Sequence, residues 1–549
     1  MMMFEHPLLA LKHWSETNPN GVYLRQPVAG QFQDYTWAEV AEQAQKMASA
    51  LQAMGFEAGD RVAILSKNCV QWFIADYAIM LANLVSVPIY ASANSDTIHY
   101  VLKHSEAKAI FVGNLDNWSE QAKGIEADVL RIAFPFDTMP AAMHWQKLLK
   151  NNQPLAFAEE YDPADKMSII YTSGSTGEPK GVVMTCGAYA QAANNICKVL
   201  AVEAGDRAMS YLPLAHITER VYIQGTSLMS GSIQVAFVES LATFNDNLKF
   251  IKPTLFLSVP RLWLKFQQSI LEKMSQQKLN ILLKIPFING MVKNKIKQAL
   301  GLEKARLLGC GSAAVSSELL LWYQRLDINI CQAWGMSETL AYGTLNVPFN
   351  KARIGSVGRV GPGAEIKLSE AGELLFKSDA MTSKYYLQPE LSKDLFTEDG
   401  FIRTGDKAEI DDEGFMTITG RVKDIFKTAK GKYVMPVPIE AKFEDSALID
   451  QVCVTGAGLP QPIAFVVLAD EVKQQEKSTL ESALTELLNI INGKLESHER
   501  LDRVIVMAEP WTIENNLLTP TLKVRRHVVE ETYKHLFEME QKPVYWSEH

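Results

Sequence analysis

Short apolar, β-branched runs alternate with amphipathic helical stretches over the first three quarters of the chain. No other feature restricts the fold as strongly. Arg61–Leu65, Lys108–Val112, Met167–Tyr171, Thr254–Val259 and Ala305–Leu308 read as buried strands. The clearest helix between them opens on a capping box, Thr36-x-x-Glu39, and sets Val40, Ala44, Met47, Leu51 and Met54 on one face before Gly55 ends it. Such alternation predicts an α/β protein, a large N-terminal domain of doubly wound, mostly parallel sheets. From about Gly355 the texture changes. Gly372–Phe376 and Phe415–Thr419 read as antiparallel strands with Asp411–Gly414 as a turn, a small β-rich part. The expected division is 1–422 for the N-terminal domain and 423–549 for a small α+β C-terminal domain.

With 549 residues the chain can bury a sizeable core without disulfides. Its six cysteines show no C-x-x-C spacing, which fits free thiols in a reducing compartment. A net charge of −9 excludes a dedicated nucleic-acid binder. The most apolar stretch, Trp72–Ala91, is broken by Asp76, Asn83, Ser86 and Pro88, short of the roughly 20 apolar residues a spanning helix needs. No basic n-region precedes an apolar run at the start. A cytoplasmic protein is expected.

The strongest local signal is Tyr171-Thr-Ser-Gly-Ser-Thr-Gly-Glu-Pro-Lys-Gly181, directly after a strand. Three glycines and four hydroxyl residues in eleven positions can turn backbone N–H groups inward, and Lys180 adds a cation. Such a nest binds phosphate oxygens. It is not a Walker A loop, because Gly181 follows Lys180. Gly309-Cys-Gly-Ser-Ala-Ala314 also reads as G-x-G-x-x-A, a weak dinucleotide fingerprint.

The glycine-rich loop resembles the signature of the adenylate-forming enzymes, which include acyl-CoA synthetases, peptide-synthetase adenylation domains and beetle luciferase. The family's other motifs follow in order. Gln332-Ala-Trp-Gly-Met-Ser-Glu338 is similar to its Tyr-Gly-x-Thr-Glu segment, with Trp334 for Tyr and Ser337 for Thr. The resemblance implies that Trp334, Gly335 and Ser337 lie at the adenine, with Gly311, Ser312 and Ala313 as the other wall. It also implies that Glu338 and Thr176 hold Mg²⁺. Thr172, Ser173, Gly174, Ser175, Thr176, Gly177 and Lys180 would surround the ATP phosphates. Asp406 of Arg403-Thr-Gly-Asp406 would accept from the ribose hydroxyls, supported by Arg421. Lys423 matches the hinge about which the C-terminal domain is expected to move. Lys427 and Gly431 match the loop lining the CoA thiol channel, and Lys523 matches the catalytic lysine.

Tyr211-Leu-Pro-Leu-Ala-His216-Ile-Thr-Glu-Arg220 and Lys252–Leu262 are similar to the long-chain fatty acid branch, and the resemblance places His216 near the substrate carboxylate. Thr185-Cys186 departs from the usual Thr-His. The reading is ATP-dependent activation of a fatty acid to acyl-AMP, then transfer to CoA. A fatty acyl-AMP ligase loading a carrier protein, an aryl- or short-chain acid–CoA ligase and a non-catalytic relic are the alternatives. No obligate protein partner is expected. A lysine-rich, apolar-interleaved segment, Lys278–Lys297, admits peripheral contact with anionic lipid at the inner face of the membrane.

Overall fold

The computed structural model describes residues 2–136, 143–172, 179–443, 446–519, 522–539 and 542–547. Ser173, Gly174, Ser175, Thr176 and Gly177 therefore lie outside the described residues. The α/β expectation holds: two sheets rich in parallel pairs make up a large N-terminal domain, and a smaller C-terminal domain follows.

The first sheet has seven strands in the order Met143–His144, Leu130–Ala133, Ala107–Val112, Arg61–Leu65, Val85–Ile89, Lys166–Thr172 and Lys180–Thr185. All pairs are parallel except the last. Strand Arg61–Leu65 has the predicted bounds. It is apolar on both faces because helices cover both, as parallel sheets require. Val70–Leu81 is one of these helices, and all twelve of its residues are buried. The expected capping box is present in helix Trp37–Ala53: Thr36 accepts from Glu39 N, while the Glu39 carboxylate accepts from Thr36 N. Val40, Ala44, Met47 and Leu51 face inward. Among the described residues no helix is long and apolar enough to cross a membrane.

The second sheet runs Arg359–Val360, Thr344–Leu345, Ile330–Trp334, Leu307–Cys310, Leu255–Ser258, Asp206–Ser210, Ile233–Phe237, Val22–Val28 and Gln31–Thr36. Its five central strands are parallel to one another. The strand predicted at Ala305–Leu308 begins two residues later, at Leu307. Arg306 instead turns its guanidinium to Asp206 and the Leu200 carbonyl, which uses the chain as a bracket beneath the sheet. Antiparallel pairing is already present before residue 355, where Thr344–Leu345 pairs antiparallel with Ile330–Trp334. Arg359–Val360 still pairs in the large sheet, and the small sheet comprises Ala364–Leu368, Glu373–Ser378, Ile402–Ile410 and Met416–Arg421. The predicted turn is there, with Gly414 N donating to Asp411 O at 2.8 Å.

In the C-terminal domain a four-stranded sheet, Ile449–Thr455, Ile463–Leu468, Val504–Val506 and Val544–Trp546, packs on helix Lys477–Asn492 through Leu480, Leu484, Leu488 and Ile491.

Candidate active site

In an open parallel sheet, ligands bind beyond the carboxyl ends of the strands. Here three such ends open into one cleft. Strand Leu307–Cys310 leads into Gly311–Ala313, strand Ile330–Trp334 into residues 335–343, and strand Asp206–Ser210 into the loop ending at His216. Ser312 takes a left-handed φ of 67°, uncommon for a residue with a Cβ and typical of loops shaped for a ligand. Gly335 has no room for a side chain, since a Cβ there would meet the Ala341 carbonyl oxygen at 2.5 Å.

Trp334 and Asp406 come together across the cleft. The indole Nε1–H donates to Asp406 Oδ2 at 2.8 Å, and Arg421 Nε approaches Oδ1 at 2.7 Å. Asp406 sits on strand Ile402–Ile410, opposite Arg421 on the neighbouring strand. Each carboxylate oxygen accepts one donor and retains a lone pair facing the cleft region. The indole thus supplies a contact that its hydrogen-bond chemistry makes available but that motif matching alone did not show.

Glu338 is buried, and its Oε1 accepts from the Tyr385 hydroxyl at 2.7 Å. Tyr385 arrives on a segment that runs beside strand Lys180–Thr185, fixed by Tyr386 N donating to Gly181 O and Val183 N to Lys384 O. Burial, with the Glu338 charge behind it, pushes the Tyr385 phenol up, so it remains a donor. Lys180 Nζ lies 5.4 Å from the Tyr385 ring centre. Burial lowers the Lys180 pKa, the Lys423 charge lowers it further, and Glu338 opposes both. Thr172 is the cross-strand neighbour of Lys180. Nothing in the sequence pattern marked Tyr385, which stands outside any strand or helix.

Lys523 brings the C-terminal domain into this cleft. It ends a tight turn in which Lys523 N donates to Thr519 Oγ1 at 3.0 Å and Thr519 N to Lys523 O at 2.8 Å. Buried Leu517 and Leu518 anchor the turn. Much of the lysine surface stays open to water. Desolvation lowers its pKa and Arg421 lowers it further, while Asp406 acts the other way. The same ammonium is felt by His216, whose pKa falls to about 4, chiefly through burial and then through Lys523. His216 Nδ1 accepts from Thr218 N at 3.2 Å, so the neutral ring carries its proton on Nε2.

The loop before His216 is held by two residues that the motifs did not single out. Asn68, just past the end of strand Arg61–Leu65, donates to Leu212 O at 2.7 Å and accepts from Leu214 N at 3.2 Å. Glu219 Oε1 accepts from Ser210 Oγ at 2.7 Å and Tyr211 N at 3.0 Å. Asn68 carried one readable signal, its place at the carboxyl end of a parallel strand.

Burial raises the Glu219 pKa to about 8 from an ordinary 4.5. Between those values the folded chain holds a proton that the unfolded chain has lost, so stability falls as pH rises through that window. Glu219→Gln keeps the acceptor oxygen without the charge. Urea midpoints from pH 5 to 8 should therefore show the variant gaining on the parent by up to about 1.4 kcal/mol per pH unit. Parallel pH profiles would mean that Glu219 is ionised in the fold.

Of the remaining candidates, Ser337 lies in the 335–343 loop and accepts from Leu340 N. Lys423 is on the exposed connection after Arg421. Lys427 and Gly431 share a separate hairpin, with Lys427 Nζ 5.6 Å from the Tyr433 ring centre and Gly431 at φ 76°. Among the described residues these two make no hydrogen bond or ion pair with the cleft cluster. No group of three or more metal-ligating side chains occurs among the described residues.

The chain is 28% identical to the long-chain-fatty-acid–CoA ligase FadD15 of Mycobacterium bovis, over 97% of this chain and 95% of that protein. It is 27% identical to fatty acyl-CoA synthetase A of Dictyostelium discoideum, over 94% of this chain and 88% of that protein. The adenylation domain of a Mycobacterium chelonae carboxylate reductase has the same fold, with a TM-score of 0.82 at 23% identity over 97% of this chain and 90% of that one. The AMP-binding enzyme family model matches residues 11–386, and its C-terminal domain model matches 423–539. A match over that much of its length establishes that the chain belongs to the AMP-binding enzyme family.

Proposed function

We propose that the chain activates a long-chain fatty acid with ATP and transfers the acyl group to CoA. The observation that carries the choice of acid is a cavity of about 1100 Å³. Its lining includes Leu214 and Ala215, immediately before His216 in the chain, together with Phe244, Leu262, Phe266 and Ile270. Ligand pockets commonly measure ~300–1000 Å³, so this volume suits a long chain better than acetate or an aromatic ring.

In this reading a carboxylate oxygen attacks the α-phosphorus of ATP, pyrophosphate leaves, and the acyl group is held as its mixed anhydride with AMP. The CoA thiolate then attacks the acyl carbon, and AMP departs with the former carboxylate oxygen. His216 Nε2–H donates to the acid carboxylate and orients it. Lys523 and Lys180 offset charge gathering on the phosphate oxygens, a type of donor whose loss costs ~3 kcal/mol. Asp406, held by Trp334 and Arg421, receives the ribose hydroxyls. Gly311, Ser312 and Ala313 leave a flat wall for the purine. Glu338 Oε2 accepts from no donor among the described residues. That single acidic oxygen suits Mg²⁺, which keeps several waters and takes further oxygens from phosphate. Bound there, the ion would neutralise triphosphate charge.

After adenylation the C-terminal domain turns about Lys423, which withdraws Lys523 and brings the Lys427–Gly431 hairpin toward the thiol. The ion pairs joining the domains, Arg261 with Asp450 and Lys494 with Glu318, are largely solvent-exposed. Such pairs contribute ~0–1 kcal/mol and do not oppose the turn.

The test is AMP release across saturated acids from acetate to stearate, and with benzoate, in the presence and absence of CoA. Each methylene buried contributes about 0.8 kcal/mol, so kcat/KM should climb roughly fourfold per methylene until the cavity is filled. A maximum at acetate or benzoate would move the protein to the short-chain or aryl ligases. Acyl-AMP and pyrophosphate accumulating with no stimulation of AMP release by CoA would move it to carrier-protein loading.

A further inference from the structure

The stretch from Lys273 to Leu302 holds six lysines and no acidic residue, in a chain whose net charge is −9. Its two helices, Gln276–Leu282 and Ile288–Ala299, form a hairpin on the outside of the large sheet. Leu279 and Ile296 point inward. Gln276 accepts from Trp322 Nε1 at 2.8 Å, and Arg325 donates to Asn280 Oδ1, so one face is firmly seated.

The opposite face is apolar and uncovered. Phe287 is 90% exposed, Ile281 62% and Met291 58%, with Ile285 beside them at 38%. Burial inside the protein explains none of these side chains, and four together at one hairpin tip exceed the scatter of single surface apolar residues. Lysines flank the tip. Lys293 pairs with Asp327, whereas Lys278, Lys284 and Lys295 have no ion-pair partner among the described residues. An apolar tip ringed by unneutralised lysines is complementary to a bilayer with anionic headgroups, in depth as well as in charge.

The second helix of the hairpin also lines the cavity, through Val292, Lys295, Ile296 and Ala299. Lys265, Lys273, Lys295 and Lys249 line the cavity while remaining exposed, and so does Leu241, which is 91% exposed. The hairpin and the exposed lysines of the cavity lining therefore share one face, on which Asp116 and Glu239 are the acidic residues of the lining.

We propose that the hairpin of residues 276–299 docks the protein on an anionic lipid surface and turns the cavity mouth toward the bilayer. The docking stands on exposure and charge alone; only the purpose of that orientation, admitting an acyl chain from the membrane, rests on the function proposed above.

The experiment is co-sedimentation of the full chain with phosphatidylcholine vesicles carrying no or 30% phosphatidylglycerol, without ATP or CoA. Binding should be at least tenfold stronger to the anionic vesicles and weaken in high salt. The pair Ile281→Asp/Phe287→Asp should lose at least tenfold of it. Lys278→Gln/Lys284→Gln, which leaves the apolar tip intact, should lose severalfold. None of these residues lines the cavity, so both variants should retain parental AMP release with a water-soluble acid such as octanoate. Failure of the parent to pellet with anionic vesicles would overturn the docking. So would equal pelleting of the parent and the Asp pair, or sedimentation velocity showing the tip buried in a dimer that the Asp pair dissolves. Because no turnover is involved, a failed fatty acid panel leaves this test standing, and a failed docking leaves the panel standing.

Discussion

Lys523→Ala should slow formation of the acyl-adenylate by at least 10²–10³-fold while changing thioester formation from supplied acyl-adenylate by less than about threefold. The first number follows from where the ammonium lies. It feels the charges of Arg421 and Asp406 and is felt by His216, so it lies near the region that these three residues share. Desolvation lowers its pKa, and the same desolvation strengthens its pull on phosphate charge. The second number follows from the proposed turn about Lys423, which removes Lys523 before CoA attacks. The turn 519–523 is anchored by Leu517 and Leu518 rather than by the lysine side chain, so the variant should keep its fold. Quenched-flow measurement of adenylate and thioester separately checks both numbers. Equal losses in the two half-reactions would contradict the two-position reading.

Asp406→Ala should raise the KM for ATP at least tenfold with a smaller change in kcat. Two contributions add. In the proposed reading the ribose would lose its bidentate acceptor, and the holders of that acceptor lose their partner. Trp334 Nε1 is buried against Asp406, and an orphaned buried donor costs ~1–3 kcal/mol. The denaturation midpoint should therefore fall as well. Trp334→Phe separates the two effects, since it removes the indole donor but leaves Arg421 on Oδ1. It should weaken AMP binding, measured calorimetrically, by less than the aspartate change does. An unchanged KM for ATP in Asp406→Ala would remove this carboxylate from the nucleotide site.

Much of the fold was legible because its signals are local. The Thr36–Glu39 capping box lies within one helical turn, and strand Arg61–Leu65 is an unbroken apolar run. The Ala305–Leu308 run was placed two residues early because Arg306 obeys a tertiary demand, its bond to Asp206, that no periodicity reports. The same limit applies in the cleft. Motif order named Trp334 and Asp406 separately, but their hydrogen bond joins positions 72 residues apart. Tyr385 reaches Glu338 from an irregular segment held by its pairing with strand Lys180–Thr185 and by Tyr385 N donating to Ser392 Oγ. Glu219 stood within a quoted motif, yet its burial, which gives it its titration, is a property of the packed loop alone.

The central claim is that the acid is activated on AMP, and oxygen tracing tests it most directly. Palmitate labelled with ¹⁸O in both carboxylate positions would be turned over with ATP and CoA, and the products weighed by mass spectrometry. Attack of the carboxylate on the α-phosphorus requires one ¹⁸O in the AMP and none in the pyrophosphate. Label in inorganic phosphate, with ADP in place of AMP, would instead show activation through an acyl phosphate and contradict the account.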